Sequence, residues 1–172
     1  MLYVQDPTKY VPAFEILPEY LKTKEGDQVV NFRDWGIALG RRFRALKLWF
    51  VIRYYGVEGL KARISEHIAW AEEVYEQAKS TPAFEIISPL RLTLFSFRYR
   101  PEGLEDDAAI EAFNETLLRK LNDGGQIYLT QNRVRGRYAI RFAVGQANTA
   151  RRHVQAAWVL IEDTARELEK EY

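Results

Sequence analysis

Cysteine is absent from the 172 residues. That excludes disulfides, thiolate nucleophiles and Cys-ligated zinc or iron–sulfur centres within them, and it gives no support for secretion. Histidine is nearly absent. His67 and His153 lie far apart on segments that both read as helix, so two structural histidines are expected and no metal site. A surplus of charge is also missing, with 25 basic against 24 acidic residues. Nothing electrostatic therefore favours nucleic acid or an acidic membrane surface. No apolar run approaches the roughly 20 residues of a membrane-spanning helix. The opening Met-Leu-Tyr-Val-Gln-Asp-Pro has no basic region followed by an apolar one, so a signal peptide is not expected and a cytoplasmic location is. There is no repeat and no low-complexity segment. A glycine-rich phosphate loop is lacking too, because Asp123-Gly124-Gly125 follows a helical pattern where a P-loop precedes one. No Ser/His/Asp or Cys/His set has support. The acidic groups Glu72-Glu73 and Glu105-Asp106-Asp107 read as helix faces and caps.

What is present is the mix of an ordinary globular protein, 47% hydrophobic and 28% charged. The length suits one domain with a real core, or one domain plus a tail from another. Leu2 to Val4 reads as a short strand stopped by Asp6-Pro7, and residues 8–34 show no sustained period. A helix is expected from near Gly40 to a stop at Gly56. Its stripe is Leu39, Phe43, Leu46, Phe50 and Tyr54. From Leu48 to Ile52 every residue is apolar, so that end is expected to be wrapped by protein on all sides. The basic residues Arg41, Arg42, Arg44 and Lys47 are interleaved with Phe43, Leu46 and Trp49, which favours an interior-facing helix with ion-paired arginines over a nucleic-acid surface.

A second helix follows, Val57 to about Lys79, with Val57, Leu60, Ile64, Ile68, Ala71, Tyr75 and Ala78 inward. Strands are expected at Phe84–Ser88 and Leu92–Tyr99, separated by Pro89. A helix is expected at Asp106–Asn122, with Ile110, Phe113, Leu117 and Leu121 inward and Gly124 closing it. Gln126–Gln131 and Arg137–Val144 read as a hairpin, the latter alternating Tyr138, Ile140, Phe142 and Val144 with Ala139, Arg141 and Ala143. Asn148 or Thr149 caps a last helix to about Lys170, with Val154, Ala157, Trp158, Ile161 and Leu168 inward. The expectation is an α+β fold: long helices plus a four-stranded, mostly antiparallel sheet with helices on one face.

The run Gly40-Arg41-Arg42-Phe43-Arg44-Ala45-Leu46-Lys47-Leu48-Trp49, then Tyr55-Gly56-Val57-Glu58-Gly59-Leu60, resembles the pyridoxal-phosphate decarboxylases, the family that includes aromatic-L-amino-acid decarboxylase. The rest of the chain follows that family's carboxy-terminal part in order. The resemblance implies the small carboxy-terminal domain of a fold-type-I enzyme over 47–172, preceded over 1–46 by the tail of the large cofactor-binding domain with its mobile catalytic loop. It implies pyridoxal 5′-phosphate as cofactor of the intact enzyme, a homodimer, and loss of the α-carboxylate from aromatic L-amino acids. The family's loop motif Pro-x-Tyr-Leu is matched by Pro18-Glu19-Tyr20-Leu21, with Lys22–Val30 as the flexible part. Tyr20 is thereby the catalytic candidate, donating or relaying a proton to the α carbon. Relatives with phenylalanine there tend toward aldehyde formation. Gly40 takes the position that borders the substrate side chain, where the missing Cβ leaves room for a catechol or indole.

The family's Schiff-base lysine follows an Asn-x-His pattern. That pattern is not in this sequence, nor are the aspartate that pairs with the pyridine nitrogen and the residues that stack on the ring. The resemblance thus implies a fragment that neither binds the cofactor nor turns over alone, and that self-associates or joins the amino-terminal part of the enzyme. The alternative is a non-catalytic oligomerisation or regulatory module. A nucleic-acid-binding α+β domain is a weaker third.

Overall fold

Asp6 and Pro7 open a helix where a strand end was expected. The computed structural model describes residues 3–14, 32–37 and 42–172, apart from the side chains of residues 33 and 34. The Asp6 carboxylate accepts from the Thr8 amide at 3.1 Å, and Pro7 takes the first turn of α1 (Pro7–Tyr10). An Asp-Pro pair suits that role equally well, since an N-cap needs an acceptor and the first helical residue needs no amide hydrogen. Single 3-10 turns follow at Val11–Ala13 and Phe32–Trp35. The chain divides into two compact units, Met1–Tyr54 and Tyr55–Tyr172.

Helix α2 runs Ala45–Ser80, and at Gly56 the backbone leaves helical geometry with φ +67°. Glycine reaches that region without a Cβ penalty, so the expected stop is a local break after which helix resumes. Two expectations fail on α2. Its buried residues are His67, Ala71, Val74 and Ala78, while Val57 and Ile64 are more than half exposed. The stretch Leu48–Ile52 is not wrapped by the described residues: each of its side chains is 42–57% exposed. The basic residues Arg42, Arg44 and Lys47 are exposed as well, and Arg53 lies over the Trp49 ring at 5.8 Å.

The second unit is built on a four-stranded antiparallel sheet in the order β1-β2-β4-β3. The strands are β1 (Phe84–Arg91), β2 (Leu94–Tyr99), β3 (Thr130–Val134) and β4 (Arg137–Ala143). Pro89 lies within β1 instead of ending it. β1 is an edge strand, and its pairing with β2 is irregular between Ser88 and Arg91, so a missing amide donor is tolerated there. The β1–β2 turn falls at Leu92, with φ +53°. In the second hairpin Arg135 and Gly136, both with positive φ, make the two-residue turn between β3 and β4.

Helices α3 (Asp107–Asp123) and α4 (Arg151–Glu169) complete the unit. Trp158 on α4 fills the centre of the core, with its ring centroid 4.8 Å from Phe84, 5.5 Å from Phe97 and 6.2 Å from Phe142. Val74 on α2, Leu117 and Leu121 on α3, and Ile161 and Leu168 on α4 close around it. Neither Asn148 nor Thr149 caps α4. Ala150 holds the cap position, and the His153 ring takes over: its Nδ1 accepts from the Ala150 amide at 3.2 Å.

One polar residue in this core was not foreseen. Asn114 on α3 is fully buried. Its amide donates to the carbonyls of Tyr99 and Ile110, and its oxygen accepts from the Tyr99 amide, all at 2.8 Å. Those bonds join the end of β2 to α3. Replacing Asn114 by Ala leaves the buried Tyr99 amide without its acceptor. The expected loss is about 1–3 kcal/mol of unfolding free energy, read from the urea midpoint at constant m-value.

Candidate functional site

Tyr20 and Gly40, the two site candidates, lie outside the described residues, as does Arg41. What is described is the frame on either side of the Tyr20 segment. Tyr10 packs on Phe14 with ring centroids 5.0 Å apart and on Trp35 at 6.0 Å, and Phe32 meets Trp35 at 6.4 Å. Phe14 and Phe32, the described residues that flank the segment carrying Tyr20, both belong to this cluster. One set of aromatic contacts within the first unit therefore joins the described residues before that segment to those after it. Sequence reasoning missed the cluster because its members follow no helical or strand period. Four aromatic residues bracketing a polar stretch were the available sign.

In the second unit the densest polar cluster is ionic. The guanidinium of Arg98, only 5% exposed, donates to Glu85 at 2.7 Å and to Asp107 at 2.9 Å, and Arg137 also bonds Glu85. Burial alone would raise the Glu85 pKa, but the bonds from Arg98 and Arg137 outweigh it and hold the carboxyl below its ordinary value. This cluster ties β1 and β4 to β2, and β2 to the start of α3. Its bonds join three strands and a helix, so its role is structural.

A depressed carboxylate pKa fixes the sign of its pH effect. Glu85 stabilises the fold above its unfolded pKa of about 4.3, and the contribution is lost as pH falls through the lower folded value. Urea midpoints between pH 7 and pH 3 should therefore drop less steeply for Glu85→Gln than for the unaltered chain.

The two histidines sit on different helices in different roles. His153 caps α4 as described. His67 is 6% exposed, with its ring 5.3 Å from Trp70, and burial, helped by Arg63, lowers its pKa. Among the described residues no group of three or more His, Cys, Asp or Glu side chains gathers closely enough to hold a metal ion. Tyr99 and Tyr138, both buried, are pushed up to about 12, mainly by burial.

Over residues 1–100 the chain matches the model of the pyridoxal-dependent decarboxylase conserved domain. The chain belongs to the pyridoxal-dependent decarboxylase family. Tryptophan decarboxylase TDC2 of Camptotheca acuminata is 44% identical to it over 166 residues, covering 95% of this chain and 33% of that protein. Tyrosine decarboxylase 4 of Petroselinum crispum is 38% identical over 95% of this chain and 33% of its own length. Among solved structures, the Oryza sativa TDC crystallised with PLP and tryptamine superposes with a TM-score of 0.87 at 34% identity, over 95% of this chain and 34% of that one. Catharanthus roseus tryptophan decarboxylase with L-tryptophan gives 0.79 at 35%, over 95% and 33%. This decarboxylase-family chain thus spans about a third of the length of the curated relatives it matches.

The described residues do not fit the cofactor that the family name implies. A lysine that holds pyridoxal phosphate lies in an enclosed pocket, whereas every described lysine of this family member is exposed. Lys61 pairs with Glu58, Lys79 with Glu76 and Lys120 with Glu171. No described helix is long and apolar enough to cross a membrane.

Proposed function

We propose that this chain serves as the carboxy-terminal portion of a pyridoxal-phosphate-dependent decarboxylase acting on aromatic L-amino acids. In this reading residues 1–46 are the tail of the large domain and 47–172 the small domain. The cofactor is held by residues outside these 172, and this chain alone neither binds it nor turns over. Its own share of the chemistry falls on two positions. The phenol of Tyr20 is the proton donor at the substrate α carbon once the carboxylate has left, and Gly40 leaves room for the aromatic side chain. The assembled enzyme is a homodimer in the cytoplasm.

One observation carries this reading: similarity to plant tryptophan and tyrosine decarboxylases extends over nearly the whole chain, 94–99% of it. The retained Pro18-Glu19-Tyr20-Leu21 and Gly40-Arg41-Arg42 motifs support it further.

The test is a chimera in which this chain replaces the matched third of the Camptotheca acuminata tryptophan decarboxylase. With pyridoxal phosphate added, carbon dioxide release is expected from L-tryptophan or L-tyrosine and not from L-histidine. A chimera that folds and retains the cofactor, yet releases none from any aromatic amino acid, would leave only the non-catalytic module.

A further inference from the structure

We infer that Gly56 is the joint of a two-state helix. Helix α2 is broken there in this structure and rewinds into one continuous helix by rotation at that single residue, with Arg63 as the latch of the broken form. At Gly56 φ is +67° and ψ is 175°, a region essentially closed to residues that carry a Cβ. Helix continues on both sides, over residues 45–55 and 57–80. The two dihedrals of one residue therefore separate this form from a continuous helix, in which φ is about −63° and ψ about −42°.

A sharp break in a helix has an identifiable cause. Proline is the usual one, and α2 contains none. No neighbour wedges the helix open either: among the described residues, a Cβ built on Gly56 would meet no heavy atom within 4 Å. What the sequence supplies is local weakness. Gly56 and Gly59 fall within one turn, and glycine holds a helix worse than any residue but proline. Gly59 nevertheless keeps helical geometry, and a Cβ there would meet Tyr55 Cβ at an ordinary 3.6 Å. The break is thus permitted by Gly56 itself and is not forced on it, and the same open space lets it close.

One contact across the joint belongs to the broken form. The Arg63 guanidinium lies 5.4 Å from the centroid of the Tyr55 ring. Eight residues of continuous helix rise about 12 Å, and both side chains would lean toward the amino terminus, so winding the joint draws the ring away from the guanidinium. The same guanidinium donates to the Ala147 carbonyl, on the loop that leads into α4. Arg63 thereby ties the residue just before the break to that loop. Gly56 is the second residue of the second unit. A joint at that place lets the chain before it take two directions while the core around Trp158 stays packed. Two settings of one helix make a bistable element that modest binding energies can bias.

The experiment uses the full 172-residue chain, which has no cysteine of its own. Lys47→Cys and Ser65→Cys, both at exposed positions, take two nitroxide labels. The intervening length makes about five turns, so in a continuous helix the labels lie on one face about 27 Å apart, and they lie closer when the helix is broken. Pulsed dipolar spectroscopy should find two populations, with the shorter distance in the majority. Gly56→Ala should move their ratio toward the longer distance by about tenfold or more, because alanine favours helix and is excluded from the broken geometry. Gly59→Ala, at a residue helical in both forms, should leave the ratio unchanged. Arg63→Met keeps the stem and removes the charge, and should move the ratio the same way by about threefold. A single short distance that survives Gly56→Ala, with a lowered urea midpoint, would make the break a fixed kink and overturn the inference. A single long distance without any further substitution would overturn it as well. Equal shifts for Gly56→Ala and Gly59→Ala would show general stiffening and remove Gly56 as the joint, and an unchanged ratio in Arg63→Met would remove the latch.

Discussion

Trp158→Ala is expected to cost about 3–5 kcal/mol of unfolding free energy, roughly a fifth or more of the ~5–15 kcal/mol that a domain of ordinary stability has. Trp158 is 1% exposed and meets Phe84, Phe95, Phe97 and Phe142 with centroids between 4.8 and 6.5 Å. Those partners come from three different strands, so truncation opens a cavity that no single element can close by shifting. Close packing is what makes the loss exceed simple transfer to water. Trp158→Phe should cost much less. It keeps an aromatic ring, and the indole Nε1 it removes is buried without a hydrogen-bond partner. Urea unfolding followed by circular dichroism, which does not depend on the missing fluorophore, checks both. Equal losses for Phe and Ala would mean that Trp158 acts through something other than volume.

Tyr20→Phe, made in the chimera with the Camptotheca enzyme, should lower amine formation by roughly 10²- to 10⁴-fold, the range for removing a positioned proton donor. The phenylalanine keeps the ring and removes only the hydroxyl. Binding of substrate should therefore change little, and the loss should fall on kcat. Under air, with dioxygen as the two-electron oxidant, aldehyde and ammonia are expected to appear as amine declines, as the resemblance to relatives with phenylalanine here implies. The Rhodiola rosea 4-hydroxyphenylacetaldehyde synthase superposes on this chain with a TM-score of 0.78 at 29% identity. Unchanged amine output would assign the proton to another donor and leave Tyr20 a packing residue.

The elements of the second unit were legible wherever burial follows a period. The alternation Tyr138, Ile140, Phe142 matches β4, and Val154, Trp158, Ile161 and Leu168 are the buried face of α4. Pro89 and the α4 cap were misread for one shared reason. Proline is a breaker only where its amide is needed, and whether β1 lies at an edge is a property of the sheet, not of the residue. Asn148 and Thr149 are good caps by type, but His153 reaches the Ala150 amide first. Helix α2 divides the same way. Its apolar run is plain in the sequence, yet the sequence could not say whether the wrapping layer came from this chain.

Residue order alone determined the family, the four strands of the sheet and the buried faces of α3 and α4, because each follows from local spacing or from a contiguous motif. Only the tertiary structure decided that Arg98, Glu85, Arg137 and Asp107 meet, that Asn114 binds the end of β2, that Tyr10, Phe14 and Trp35 converge, and that the side chains of Leu48–Ile52 are half exposed. Such contacts join residues distant along the chain, and their partners are selected by how the elements pack, which no local pattern encodes.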